Sequence, residues 1–283
     1  MKKEKRNVDL LVLSDVHLGT FGCHAKELLR YLKSIRPKTV VLNGDFIDIW
    51  QFSKRYWPPS HMKVVRHVLG WVSKGVRVHY ITGNHDELLR RFRGFSLGSF
   101  SIANKLLLRL PQGEAAWIFH GDVFDVTMRY SKWLAKLGAT GYDLLILLNR
   151  MVNFVSVRLL KRGPVSLSKK IKHSVKKALT YINDFEETAA GIGIANGYAY
   201  VVCGHLHHPQ HRVVENGSGS ITYLNSGDWV EHLTSLEYHE GAWQVYAYHD
   251  TDWEAESGEE PEDPTDAELF RQLIREFNGL RPV

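Results

Sequence analysis

Five short segments hold the side chains that can do chemistry. They are Ser14-Asp15-Val16-His17, Asn43-Gly44-Asp45-Phe46-Ile47-Asp48, Gly83-Asn84-His85-Asp86, His120-Gly121-Asp122 and Gly204-His205-Leu206-His207. Carboxylate, amide and imidazole groups dominate them, and no thiolate is present. Such donors suit Mn²⁺, Fe, Zn²⁺ or Co²⁺ better than Ca²⁺ or an all-oxygen Mg²⁺ site. Asp15 and His17, two apart in an extended segment, project to one side and can grip one cation together. His205 and His207 repeat that spacing. Asp45 can set its two oxygens on two different ions, Asn84 offers a carbonyl oxygen, and His120 adds an imidazole. Seven ligands are too many for one catalytic ion with an open position. They fit two ions sharing a bridging carboxylate, about 3.5–4 Å apart as in two-metal hydrolases. The stretch GHLHHP (204–209) would not establish a site alone, because a lone histidine is more often a buried or surface residue than a ligand.

Each segment follows a short β-branched run: VDLLVLS (8–14), TVVLN (39–43), VRVHYIT (76–82), AAWIF (115–119) and AYVVC (199–203). Helical patterns lie between the early runs, in HAKELLRYLKSI and HMKVVRHVLGWV, and DELLRRF after His85 predicts another helix. Alternating strand and helix predicts an α/β fold with buried strands, in which ligand sites collect at the carboxyl ends of the strands. The stretches SITYLNSGDWV, HLTSLEYHE and AWQVYAYHD alternate without helices and predict an antiparallel meander, and His211 falls on a strand after the histidine cluster.

The chain has 283 residues, 44% hydrophobic and 24% charged, enough for one large domain carrying an insertion or for two small domains. Cys23 and Cys203 lie far apart, which suits a reducing compartment and excludes a disulfide scaffold or a cysteine zinc site. The apolar run near the N-terminus contains Asp9 and reads as a strand rather than a signal peptide. LLILLNRMVNFVSVRLL (144–160) carries Asn149, Arg150, Asn153 and Arg158 and is too short and too charged to span a bilayer.

Net charge is +5 and unevenly spread. Asp125 to Lys177 holds twelve Lys/Arg against two Asp, which points to an anionic partner. Asp250 to Glu268 holds ten acids and no base and reads as a solvated linker, with DAELFRQLIREF after it as a short helix. The expected organisation is a catalytic domain over 1–249, with a basic and apolar helical lid at about 123–196, then an acidic segment and terminal helix over 250–283.

Taken in order, DVHLG, GDFID, GNHD, HGD and GHLH resemble the motif set of the calcineurin-like metallophosphoesterases. The resemblance implies a two-sheet sandwich flanked by helices and two divalent ions, with Mn²⁺ expected and Fe, Zn²⁺ or Co²⁺ as alternatives. It implies one ion on Asp15, His17, Asp45 and His207, and the other on Asp45, Asn84, His120 and His205. It also implies that metal-bound hydroxide attacks phosphorus, that His85 protonates the leaving oxygen or steadies the phosphorane charge, and that Asp86 orients the His85 ring. Asp48 and Asp122 are expected to orient ligands from behind.

A narrower resemblance links GDFIDIW, the helical insertion and NSGDW to the UDP-2,3-diacylglucosamine diphosphatases of lipid A synthesis. Those enzymes cleave the pyrophosphate of a nucleotide sugar with two acyl chains beneath a helical lid. It implies substrate contacts at Asn84, His85, Trp50 and Lys177, and a cytoplasmic enzyme peripheral to the inner membrane face. The best-known members carry Arg at the position of His85, so this chain shows the His form, GNHD. His208 has no place among the ligands and is expected to touch phosphate or merely line the rim.

A general phosphodiesterase or nuclease of the same superfamily is the competing activity. Scattered aromatics in the insertion offer no stacking platform for nucleic acid. A metal-free interaction scaffold should have lost ligands, and here every expected position is filled.

Overall fold

The computed structural model describes residues 5–50, 56–127 and 170–252, without the side chains of 126–127 and 170–180. Most of the expected lid, the LLILL stretch and the C-terminal helix lie outside the described residues.

Two sheets face each other. The first runs β12-β11-β1-β2-β3-β5-β4 and the second β6-β7-β8-β10-β9. The site-bearing strands are β1 (Arg6–Leu13), β2 (Ile35–Asn43), β3 (Arg77–Ile81), β7 (Ala115–Phe119) and β8 (Tyr200–Cys203). In the first sheet β1, β2, β3 and β5 (Phe100–Ala103) are parallel, and in the second β7, β8 and β10 (Gly219–Asn225) are parallel. Antiparallel strands close the edges: β11 (Thr234–His239), β12 (Ala242–Ala247) and β4 (Ser96–Leu97) on one sheet, β6 (Lys105–Arg109) and β9 (Gln210–Asn216) on the other.

The continuous apolar runs are explained by burial on both faces, as parallel strands require. Side chains alternate along a strand, so Leu11 and Leu13 pack towards the helices while Leu10 and Val12 pack between the sheets. Val41, Ile81, Ile118, Val202 and Leu224 complete that inter-sheet layer. Helices α1 (Ala25–Lys33) and α2 (Pro59–Ser73) cover the first sheet through Leu28, Leu32, Val64 and Val68. On the second sheet, α3 (Val123–Thr127) and α4 (Lys170–Ala195) place Phe124, Phe185 and Ala189 over Val201 and Tyr223. The order helix, sheet, sheet, helix matches the expected sandwich.

Two expectations fail. The late strands do not form one meander: β10 joins the second sheet beside β8, while β11 and β12 form a hairpin on the first. Alternation reveals a strand but not its partner. DELLRRF gives a 3-10 helix (Glu87–Phe92) in which no residue is fully buried and Leu89 alone packs on the core, too little to sustain a longer helix. Among the described residues no helix is long and apolar enough to cross a membrane.

Candidate metal centre

The carboxyl ends of β1, β2 and β3 meet those of β7 and β8 at one rim. Hydrogen bonds tie the two sheets there: the Asn43 amide donates to Phe119 O at 3.1 Å, and His205 N donates to Asp15 Oδ2 at 2.9 Å. Backbone geometry at the rim departs from the extended form expected of Asp15 and His17. Seven non-glycine residues among those described have positive φ, and five are Asp15, His17, Asp45, His205 and His207. Left-handed backbone costs roughly 1–2 kcal/mol per residue, is more accessible to Asp and His than to most, and gathers at functional sites.

Close packing explains the glycines. A Cβ on Gly44, whose φ is +81°, would lie 2.3 Å from His120 Nδ1. A Cβ on Gly83 would lie 2.2 Å from Asp45 Oδ1. Each glycine lets a ligand from another segment reach the rim.

Asp15, His17 and His207 bring their donor atoms together on one side. His207 Nε2 lies 3.2 Å from Asp15 Oδ1 and 3.4 Å from His17 Nε2. On the other side His120 Nε2 stands 3.2 Å from Asp45 Oδ2 and 3.3 Å from Asn84 Oδ1. The His205 ring sits 5.2 Å from that of His120. Asp15 belongs to both groups, whereas Asp45, the expected bridge, gathers only with Asp15 and His120.

The donor chemistry fits divalent cations. Asp15 Oδ1 is buried and accepts no hydrogen bond among the described residues. Burial alone would raise the Asp15 pKa, yet the charges of His207 and His120 hold it down at about 2. Burial likewise works against a charged His207, but Asp15 pushes its pKa up to about 9. His120 is raised well above its usual range against burial, chiefly by Asp45 and Asp15. Buried carboxylates therefore favour positive charge at this rim, which divalent cations would supply.

The rings are held from behind, and not always by the expected groups. Asp48 Oδ2 accepts from His17 Nδ1 at 3.2 Å and from His85 Nδ1 at 2.8 Å, so it holds the ring of an expected ligand. Burial opposes its charge, and both imidazoles together still hold its pKa low. Asp86, expected to orient His85, instead accepts from Gly83 N at 2.6 Å, Tyr80 Oη at 2.6 Å and Phe46 N at 3.2 Å. Burial and the nearby Asp45 charge push its pKa up to about 6. Asp86 shapes the loop and leaves the ring to Asp48. Asp122 pairs with Arg90 rather than with a ligand.

Asp125 and Asp228 were missed in the sequence. Asp125 accepts from His205 Nε2 at 3.0 Å and from the Tyr181 hydroxyl on α4. Asp228, fully buried within NSGDW, has Oδ2 3.6 Å from His207 Nδ1 and 2.8 Å from His232 Nδ1. Its Oδ1 accepts from the backbone of Val230, Glu231 and His232 at 2.5–3.0 Å. The acid in HGDVFD, five residues after His120, was the available signal for Asp125.

Trp50 places its indole 4.6 Å from the His85 ring, beside a cleft shared with Leu88 and Arg91. His208 Nδ1 is buried without a hydrogen bond among the described residues, and His211 is exposed on β9. Lys177 falls on α4, where its side chain is outside the described set.

The family model of the calcineurin-like phosphoesterases matches residues 8–209, from β1 through every rim segment. The chain belongs to that family. As a calcineurin-like phosphoesterase it is a metal-dependent hydrolase of phosphorus esters. It is 23% identical over 240 residues to the UDP-2,3-diacylglucosamine hydrolase of Blochmanniella pennsylvanica, covering 82% of this chain and 93% of that one. The enzyme of the same name from Aliivibrio fischeri is 22% identical over 245 residues, 85% of this chain and 97% of the relative. A solved dimetal phosphatase from Danio rerio aligns at 12% identity with a TM-score of 0.39, over 84% of this chain and 95% of its own. A score that low does not bear on chemistry.

Proposed function

We propose that this phosphoesterase hydrolyses the pyrophosphate of UDP-2,3-diacylglucosamine to UMP and 2,3-diacylglucosamine 1-phosphate. The observation that carries the hydrolytic reading is His85. Its Nδ1 is anchored on Asp48, its ring stands between the metal-site imidazole His17, 4.6 Å away, and the indole of Trp50, and it faces a cleft. The two relatives named for that substrate, aligned over more than four-fifths of the chain, support it.

Asp15, His17, Asp45 and His207 would hold one divalent ion, and Asp45, Asn84, His120 and His205 the other, with Mn²⁺ the proposed metal. Bound there, the ions supply Lewis acidity and acidify a coordinated water. The chain's own groups do the rest. With Nδ1 donating to Asp48, the His85 ring keeps Nε2 for the substrate. Burial lowers its proton affinity, but the Asp48 bond and the Asp45 charge outweigh burial and raise its pKa. One water is consumed, the P–O–P bridge is cut, and the departing phosphate takes its proton from His85 Nε2. Asn84 and Trp50 contact the substrate, and Lys177 binds phosphate from the lid. The domain covers 1–249, and the enzyme works at the cytoplasmic face of the membrane.

Incubating the Mn²⁺-loaded full chain with UDP-2,3-diacylglucosamine should release UMP. No UMP alongside cleavage of bis-p-nitrophenyl phosphate would sink this substrate and leave a general phosphodiesterase.

A further inference from the structure

Eleven large apolar side chains are exposed among the described residues, and four of them lie within ten residues of one another. Leu88 is 48% exposed, Phe92 56%, Phe95 47% and Leu97 69%. Leu97 and Ser96 form β4, the two-residue edge strand of the first sheet, joined to β5 by a turn through Gly98 at φ +57°. Cβ atoms built on Gly94 and Gly98 would meet nothing within 4 Å, so the hairpin projects into open space. Leu89 and Phe100 of the same stretch pack on the core and fix its outer face.

Arginines are interleaved with these side chains. Arg90 is bound to Asp122 and to Gly83 O, which pins the segment to the metal rim. Arg91 and Arg93 are exposed and make no ion pair among the described residues. Between Glu87 and Arg109 there are five basic residues and one acid. Projecting apolar tips with unpaired cations beside them are what an interfacial protein presents to anionic headgroups. A second copy is a poor occupant: a two-fold contact turns this patch on itself and sets its arginines among like charges, and a two-residue edge strand offers little to pair with.

We infer that the 88–97 segment is a docking face for an anionic lipid bilayer, and that it delivers an amphiphile into the catalytic cleft. Continuity supports this, since Leu88 and Arg91 belong at once to the exposed segment and to the cleft beside Trp50 and His85. The inference rests on the reading of the substrate as a membrane-held amphiphile. It differs from the lid expectation by placing the contact on the first sheet's edge.

The full chain, with vesicles of phosphatidylglycerol and phosphatidylethanolamine and no nucleotide lipid, should cosediment, and with phosphatidylcholine vesicles it should stay in solution. Phe95→Ser/Leu97→Ser should weaken anionic-vesicle binding about tenfold or more. Arg93→Gln should weaken it about fivefold. Both variants should keep wild-type circular dichroism, melting temperature and turnover of bis-p-nitrophenyl phosphate. Wild-type protein that ignores anionic vesicles, binds neutral ones equally well, or binds undiminished in both variants overturns the inference. So does a wild-type dimer in light scattering that these substitutions dissociate. Vesicle binding without UMP release in the separate hydrolysis assay would instead overturn the substrate while this surface stands.

Discussion

Asp48 carries two rings on one oxygen, and replacing it with Asn separates two effects. Asp48→Asn keeps the shape but removes the charge that His17 Nδ1 and His85 Nδ1 meet at 3.2 and 2.8 Å. A hydrogen bond to a charged group contributes about 1.5–3 kcal/mol and a neutral one about 0.5–1.5, so each bond weakens by about 1 kcal/mol. At 1.4 kcal/mol per tenfold that is about fivefold per ring, and about thirtyfold for the pair. The range of about 10–100-fold found for groups behind metal ligands agrees. The His17 share should appear as weaker Mn²⁺ binding in calorimetric titration of the metal-free protein. The His85 share should appear as lower kcat on bis-p-nitrophenyl phosphate at saturating metal. A folded Asp48→Asn protein with both quantities within about twofold of wild type would refute the assignment of Asp48 as the shared anchor.

Asp125→Asn should weaken the cation step that depends on His205, and Asp228→Asn the step that depends on His207, each about tenfold or more by two-step titration. Tyr181→Phe, which removes the other donor to Asp125, should give a smaller shift in the same step as Asp125→Asn. Gly44→Ala drives a methyl into His120 and demands a left-handed alanine, so the melting temperature should fall by the equivalent of about 2–4 kcal/mol. Far from the rim, Glu237 is buried and accepts from Arg6, Tyr31 and Gln244 at 2.6–2.8 Å. Burial opposes its charge, yet these donors hold its pKa below 4.5. Its stabilisation is therefore full above the unfolded-state pKa and lost as pH falls through the folded one. Urea unfolding at neutral and acid pH should show that loss, and Glu237→Gln should flatten it.

Much of this site was legible because runs such as VVLN and YVVC must be buried on both faces, and each is followed at once by carboxylate, amide or imidazole groups whose burial requires a partner. The ligand set followed from chemistry at those ends. What could not be read is set by contacts distant in sequence. The left-handed turn at Asp15 and His17 depends on their backbone N–H groups reaching Gly44 O at 3.2 Å and Asp45 O at 2.9 Å. Asp125 and Asp228 matter only because His205 and His207 turn a particular nitrogen towards them. Asp86 lost its expected role for the same reason, since Gly83 N and Tyr80 were nearer to it. β10 chose β8 over β11 because Ile221 and Tyr223 had a helix-covered face to fill.

The five left-handed residues have a consequence outside catalysis. At about 1 kcal/mol each they cost the chain about 5 kcal/mol, comparable with the whole stability of many domains. Cations that bind only the folded chain offset this by mass action. A cell short of such metal would then hold more of the chain open to chaperones and proteases. Supply of the ion would set how many copies of the enzyme survive, as well as how many of them turn over.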